Sequence, residues 1–132
     1  MRLRTWVGIL AIVVLTSEGM IFAKSGRRPV CPYGERIRMP TPFYFNGGYS
    51  YVTDLPELQQ VADGHENNDR SHLVICEDDR LIGPAHSPHH EITEQGRGRF
   101  SHWGTDLLFS TSDNSDPNTN GRSYLAIRTD RP

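Results

Sequence analysis

Hydrophobic, aromatic and β-branched residues occur along this chain in short runs, separated by turns rich in Gly, Pro, Asn and Asp. Such runs are typical of β-strands, and Asn46-Gly47-Gly48 is typical of a hairpin turn. The pattern predicts strands at residues 42–45, 49–53, 72–77, 80–82, 99–103, 106–111 and 123–128. It also predicts a helical turn at residues 56–61. The fold class that follows is all-β, a small antiparallel β-sandwich or jelly roll with one short helix.

The one short helix is predicted at residues 89–95. Ser87 has a side chain that can cap a helix, Pro88 fits the first turn, and Gly96 can end the helix in a left-handed conformation.

The N-terminus has the order of a secretory signal peptide. Arg2 and Arg4 precede an apolar run at residues 6–15, and Ala23 offers a cleavage position. The alternative is a retained N-terminal membrane anchor, although Glu18 interrupts the only window long enough to span a bilayer. We expect a signal peptide at 1–23, an irregular Pro-rich lead-in at 24–40 and a single β domain at 41–132. The expected location is secreted or periplasmic, with membrane association only if the signal peptide is not cleaved.

Composition and charge narrow the class of protein. With 132 residues, 36% hydrophobic and 23% charged, the chain can form one soluble domain, which excludes a large multidomain enzyme and a polytopic membrane protein. A net charge of −2 gives no reason to expect nucleic acid as a partner. Cys31 and Cys76 predict a disulfide in an exported protein, the alternative being two free thiols. Zinc is not expected there, because no C-x-x-C pair is present.

Residues 110–122 form the most informative segment. Asp116-x-Asn118-x-Asn120-Gly121 matches the first half of a calcium loop, but the position of the bidentate Glu is taken by Ile127. A calcium site would therefore need further ligands, and the candidate metal set is Asp113, Asp116, Asn118 and Asn120. A second interpretation is a long connection whose Asn and Asp side chains bond their own backbone.

A third interpretation of the same segment is recognition of a polar ligand, with saccharide the best candidate. Asn, Asp and Arg groups would bond hydroxyls, and an aromatic ring would cover the apolar face of a sugar. The candidate ligand-binding residues are Arg99, Trp103, Asn118, Arg122 and Tyr124.

Histidines form a second cluster. His86 and His90 are four residues apart, as are His90 and Glu94, so each pair would share a face of a helix. This spacing suits a metal-dependent hydrolase that uses His86, His90 or His102, but no H-E-x-x-H motif is present. Ser101 and His102 are neighbours on a predicted strand and point to opposite faces, so they are not a nucleophile and base pair.

Residues 81–86 (LIGPAH), 98–103 (GRFSHW) and 108–124 (LFSTSDNSDPNTNGRSY) resemble a small accessory β-domain of bacterial proteins, often near glycosyltransferase-like or methyltransferase-like regions. The resemblance covers about residues 45–128 and does not point to a particular activity. We therefore expect a secreted, non-catalytic module that binds a saccharide, a cell-envelope component or a protein partner. The alternatives are a calcium-stabilised structural domain and a metal-dependent hydrolase. No cofactor other than calcium is expected.

Overall fold

The structure, a computed structural model, describes residues 26–131 and is built from two four-stranded antiparallel sheets. The first sheet has the order β1-β8-β4-β5 and the second has the order β2-β3-β7-β6. The strands are β1 (Glu35–Arg38), β2 (Tyr44–Phe45), β3 (Tyr51–Asp54), β4 (Leu73–Glu77), β5 (Arg80–Ile82), β6 (Phe100–Trp103), β7 (Asp106–Phe109) and β8 (Tyr124–Arg128). The prediction of a small all-β sandwich is confirmed.

The core lies between the two sheets and follows from the alternation of side chains along each strand. In the first sheet Ile75 is paired with Ala126, and in the second Phe109 is paired with Phe100. All four are buried and belong to one hydrophobic cluster. The intervening residues of each strand therefore face outwards, which places Ser101 and Trp103 on the outer face of the second sheet.

Strand β1 lies inside the segment predicted to be an irregular lead-in, so that prediction is wrong for residues 35–38. Ile37 packs against the core, while Arg36 and Arg38 are exposed, which is the alternation of a half-buried strand. Three charged residues in four hide this pattern in the sequence. The first sheet thus recruits chain from before the expected start of the domain at residue 41.

The lead-in before β1 is held beside β5. The amide of Cys31 donates to the carbonyl of Asp79 at 3.1 Å, and the amide of Leu81 donates to Pro29 at 2.8 Å. Cys31 and Cys76 form the predicted disulfide, which indicates an oxidising extracellular or periplasmic compartment. The predicted signal peptide at 1–23 lies outside the described residues. Within residues 26–131, no helix has the length and apolar character needed to cross a membrane.

Two short helices accompany the sheets, a 3₁₀ helix at Pro56–Val61 and the helix α1 at His89–Glu94. The capping role predicted for Ser87 is wrong, because its hydroxyl donates to the carbonyl of Pro84 at 2.8 Å. Gly96 follows α1 with a φ of +63°, as predicted for its end. The buried Ile92 lies outside the inter-sheet cluster, and α1 contacts β6 and β7, so α1 covers part of the outer face of the second sheet.

Strand β6 is the outermost strand of the second sheet, and its open side is covered by irregular chain. The amide of Phe100 donates to Pro84, and the carbonyl of Phe100 accepts from Ser87. Further along, the amide of Asp63 donates to the carbonyl of His102 at 2.9 Å. These contacts bring residues 63–68 and 84–89 together beside the outward-facing side chains of β6.

Candidate ligand-binding site

The polar side chains of residues 110–122 bond one another. Arg122 makes a two-pronged ion pair with Asp113, with N–O distances of 2.9 and 2.7 Å. This guanidinium, with a further hydrogen bond from Ser115, holds the pKa of the Asp113 carboxyl well below its usual range. Asp116 accepts from the amide of Asn118 at 2.8 Å, which closes a local turn.

Two further residues of this segment anchor it to the domain. Asn118 accepts from the amide of Phe43 and donates to its carbonyl, both at 2.9 Å, so its side chain pairs with that backbone as a neighbouring strand would. Asn120 donates to the hydroxyl of Tyr124, which in turn donates to the buried carboxylate of Glu77. Burial raises the pKa of Tyr124 well above its usual value.

The side chains of the four candidate metal ligands are thus engaged in hydrogen bonds with protein groups, and Asp113 and Asn120 both bond the hydroxyl of Ser115. Among residues 26–131 there is no group of three or more His, Cys, Asp or Glu side chains that could hold a metal ion. His86 precedes α1, so it does not share a helical face with His90. The geometry agrees best with the interpretation of residues 110–122 as a hydrogen-bonded connection.

The five candidate saccharide-binding residues are divided by the fold. Asn118, Arg122 and Tyr124 line an open cleft of about 900 Å³, together with Arg38 and Phe43. In this first cleft, the polar groups of the three predicted residues are already bonded to protein partners. Trp103 lines a second cleft, and Arg99 lies in neither, since its side chain donates to the carbonyl of Gly96 and lies 3.7 Å from Glu91.

The second cleft, which we call the Trp103 cleft, has a volume of about 440 Å³ and lies on the outer face of β6. Its floor contains Ser101 and Trp103, which point outwards because Phe100 and His102 point inwards. Its walls come from residues 63–68 and from the start of α1. The lining residues are Asp63, His65, Asn68, His86, Ser87, Pro88, His89, Ser101 and Trp103.

A buried carboxylate and a histidine form the most ordered pair in the Trp103 cleft. Nδ1 of His86 lies 2.6 Å from one oxygen of Asp63, whose side chain is 2% exposed, whereas that of His86 is 33% exposed. The other oxygen of Asp63 accepts the amide of Ser71 at 2.8 Å. Both carboxylate oxygens are therefore satisfied, and Asp63 fixes the imidazole of His86 at the mouth of the cleft.

Trp103 is half-buried and lies between two more histidines. The rings of His65 and His89 meet the indole edge to face, at centroid distances of 5.0 and 6.1 Å. The side chains of His65, His89 and Asn68 make no hydrogen bond with any other residue in the range 26–131. The cleft therefore combines one aromatic surface with polar groups that are still available to a ligand.

His102 lies behind the cleft, on the inner face of β6, and is 1% exposed. Its Nδ1 lies 2.8 Å from the hydroxyl of Ser71, while its Nε2 has no hydrogen-bond partner within the described range. Burial lowers the pKa of His102, an effect that the negative charge of Asp63 partly offsets. His102 therefore supports the packing beneath the cleft and does not line it.

Trp103 and His86 were predicted from the sequence as candidate residues, whereas Asp63, His65 and Asn68 were missed because they lie in a polar segment that looks like an ordinary solvated loop. No spacing rule connects Asp63 with His86, since the contact depends on both segments flanking β6. The composition of residues 63–68, with His and Asn on either side of Glu66, is the only local signal for a site.

Comparison of the chain with known protein families, with curated proteins and with solved structures gives no match. The resemblance of residues 45–128 to a bacterial accessory domain therefore stays a prediction.

Proposed function

We propose that this protein is a secreted, non-catalytic module that binds a saccharide in the Trp103 cleft. The observation that carries the proposal is the half-buried indole of Trp103, with the side chains of His65, Asn68 and His89 around it making no hydrogen bond among residues 26–131. Sugar rings present an apolar face that packs on an aromatic ring and a rim of hydroxyls that need donors and acceptors. Trp103 provides the aromatic ring, and His65, Asn68 and His86 provide hydrogen-bond donors and acceptors around it.

Export is supported by two features of different kinds. The N-terminal sequence has the order of a signal peptide, and the Cys31–Cys76 disulfide is typical of oxidising compartments. A glycan of the cell envelope or of an extracellular polymer is the class of ligand that such a protein meets.

Between the two clefts, the Trp103 cleft is the better candidate for recognition. In the first cleft, Arg122 is paired with Asp113 and Asn118 is paired with the backbone of Phe43, so a ligand would have to replace existing contacts. In the Trp103 cleft a ligand would meet the side chains of His65, Asn68 and His89, which make no hydrogen bond with other described residues. Binding there does not require breaking contacts of these side chains.

The test is a glycan array followed by calorimetric titration of the best glycan with the oxidised protein. Trp103→Ala should weaken binding at least about 30-fold, as expected for an aromatic residue at the centre of a site. Tyr33→Ala removes a fully exposed aromatic ring elsewhere, and Arg38→Ala changes the first cleft, so both should bind like wild type. The proposal fails if no glycan is retained, or if Trp103→Ala binds as well as wild type while Arg38→Ala does not.

A further inference from the structure

We infer that His86 selects the ligand by accepting a hydrogen bond from one of its hydroxyl groups through Nε2. This inference rests on the proposed function and adds a specificity-determining contact to it. It excludes, at that position, a ligand group that can only accept, such as a carboxylate, a sulfate or an ether oxygen.

A proton lies between Nδ1 of His86 and a carboxylate oxygen of Asp63. The two atoms are 2.6 Å apart, and an ionised carboxylate can only accept, so Nδ1 of His86 carries the proton. A neutral imidazole has one donor and one acceptor nitrogen, so Nε2 is then an acceptor. Asp63 cannot turn away, because its other oxygen accepts the amide of Ser71 at 2.8 Å.

The backbone of His86 has a φ of +54°, in the left-handed region that residues other than Gly seldom occupy, Asn, Asp and His doing so more often than the rest. Such a conformation persists only where the surroundings fix it. Here the amide of Ser87 and the carbonyl of Pro84 are both bonded to Phe100, so the segment is tied to β6 on either side of His86. The direction of the imidazole is therefore set by the fold before a ligand arrives.

A sugar packed on the indole of Trp103 would lie in the cleft that His86 also lines, so we expect one of its hydroxyl groups to come within reach of Nε2. An acceptor nitrogen that is held in place can accept a hydrogen bond from a hydroxyl group. A ligand group without a proton would instead face the lone pair of the nitrogen and would lose its own hydrogen bond with water.

Two variants test the arrangement without disturbing the backbone. His86→Asn removes the imidazole, and Asn tolerates the left-handed conformation. Asp63→Asn keeps one acceptor for the amide of Ser71 and turns an amide donor towards Nδ1 of His86, which moves the ring proton to Nε2. His90→Asn is the matched control, since His90 is an exposed histidine that does not line the cleft.

The first measurement is made without sugar, by long-range ¹H–¹⁵N NMR of the histidine rings over a series of pH values, with the tautomer read from the neutral form of each ring. We expect the Nδ1–H form of His86 in wild type and in His90→Asn, and the Nε2–H form in Asp63→Asn. An Nε2–H ring in wild type overturns the inference whether or not any sugar binds.

The second measurement uses the methyl pyranosides of glucose, galactose, mannose and N-acetylglucosamine, and the monodeoxy versions of whichever binds. One monodeoxy sugar should bind wild type about fivefold more weakly than its parent, and His86→Asn should abolish that difference. Equal penalties in wild type and His86→Asn overturn the inference while leaving the proposed function in place. Binding of none of the four parents overturns the inference even if the NMR result is as expected, whereas the proposed function is overturned only if the glycan array retains nothing as well.

Discussion

At the scale of single residues, the alternation along β6 decides which side chains meet solvent and which enter the core. Ser101 and Trp103 line the Trp103 cleft, while His102 between them is buried against Ser71. The sequence sufficed to place Ser101 and His102 on opposite faces, because a strand has a fixed period of two. It could not show that the imidazole of His102 would be sealed from water, since that depends on segments far away in the chain.

The burial of His102 predicts that stability falls in mild acid. The pKa of His102 is lowered in the folded protein, so the unfolded chain binds a proton first as the pH falls below about 6.5, the ordinary histidine value. The contribution of the neutral His102 ring to the free energy of unfolding is fully present above that pH. It is lost as the pH falls towards the pKa of His102 in the folded protein. In His102→Gln the free energy of unfolding should depend less steeply on pH between about 6.5 and 5, by up to about 1.4 kcal/mol per pH unit.

Denaturant unfolding at several pH values measures this difference. Groups that titrate in both proteins cancel when the two slopes are compared, and His72→Gln, at an exposed histidine, should keep the wild-type slope. Equal slopes in wild type and His102→Gln would show that burial of this ring has no effect on protonation.

At the scale of elements, alternation and turn residues predicted most of the secondary structure, and each feature that was missed has an identifiable cause. Strand β1 was missed because Arg36 and Arg38 mask the single apolar residue between them. The Trp103 cleft was missed because its walls come from residues 63–68 and 84–89, whose meeting is decided by pairing along β6. The segment 110–122 invited a metal hypothesis, because Asn and Asp residues that bond backbone have the same spacing as residues that bind calcium.

The contact between Asn118 and Phe43 should be worth more than an average surface hydrogen bond. Asn118→Asp keeps the size and the acceptor but places a carboxylate against the carbonyl of Phe43, where an amide had donated at 2.9 Å. We expect a loss of about 1–3 kcal/mol in the free energy of unfolding, from the lost bond and the added repulsion. Asn67→Asp, at an exposed position, is the control for the added charge, and a loss equal to that of Asn118→Asp would refute the assignment.

The disulfide should stabilise the folded protein and hold the lead-in in place beside β5. The Cys31–Cys76 bond spans a sequence separation of 45 residues, and a cross-link of that span constrains the unfolded chain by about 4 kcal/mol. The double variant Cys31→Ser, Cys76→Ser should lose about 2–4 kcal/mol of stability in denaturant unfolding. Limited proteolysis should then cut near residues 26–34, because the remaining contacts are two backbone hydrogen bonds, a bond from Arg80 to the carbonyl of Arg28 and the Arg28–Glu77 ion pair. Unchanged stability and proteolysis in the double variant would contradict this.

At the scale of the whole molecule, the segment 110–122 acts as a bridge between the two sheets. Asn118 bonds the backbone just before β2 of the second sheet, while Arg122 contacts Glu77 at the end of β4 and Asn120 donates to Tyr124 of β8, both in the first sheet. The polar residues that suggested a ligand therefore join the two halves of the sandwich.

This role predicts that the stability of the protein does not depend on calcium. Both oxygens of Asp113 and one oxygen of Asp116 already accept from protein donors, and a metal ion bound there would have to break those bonds. The melting temperature of the oxidised protein should therefore be the same within about a degree in millimolar calcium and in chelator. A rise of several degrees with calcium would mean that the folded state binds the ion, and would restore the calcium hypothesis.

The covering of β6 by irregular chain has a consequence for how this surface can change. The open side of an outermost strand is a template for pairing with another chain, and proteins that leave it bare tend to self-associate. Here the backbone at Asp63, Pro84 and Ser87 occupies that side, and the same segments carry the walls of the Trp103 cleft. Shortening either segment to alter the cleft would uncover the strand and promote aggregation. The shape of the Trp103 cleft can therefore be altered by replacing side chains on a fixed backbone, because shortening its walls would lower the solubility of the protein.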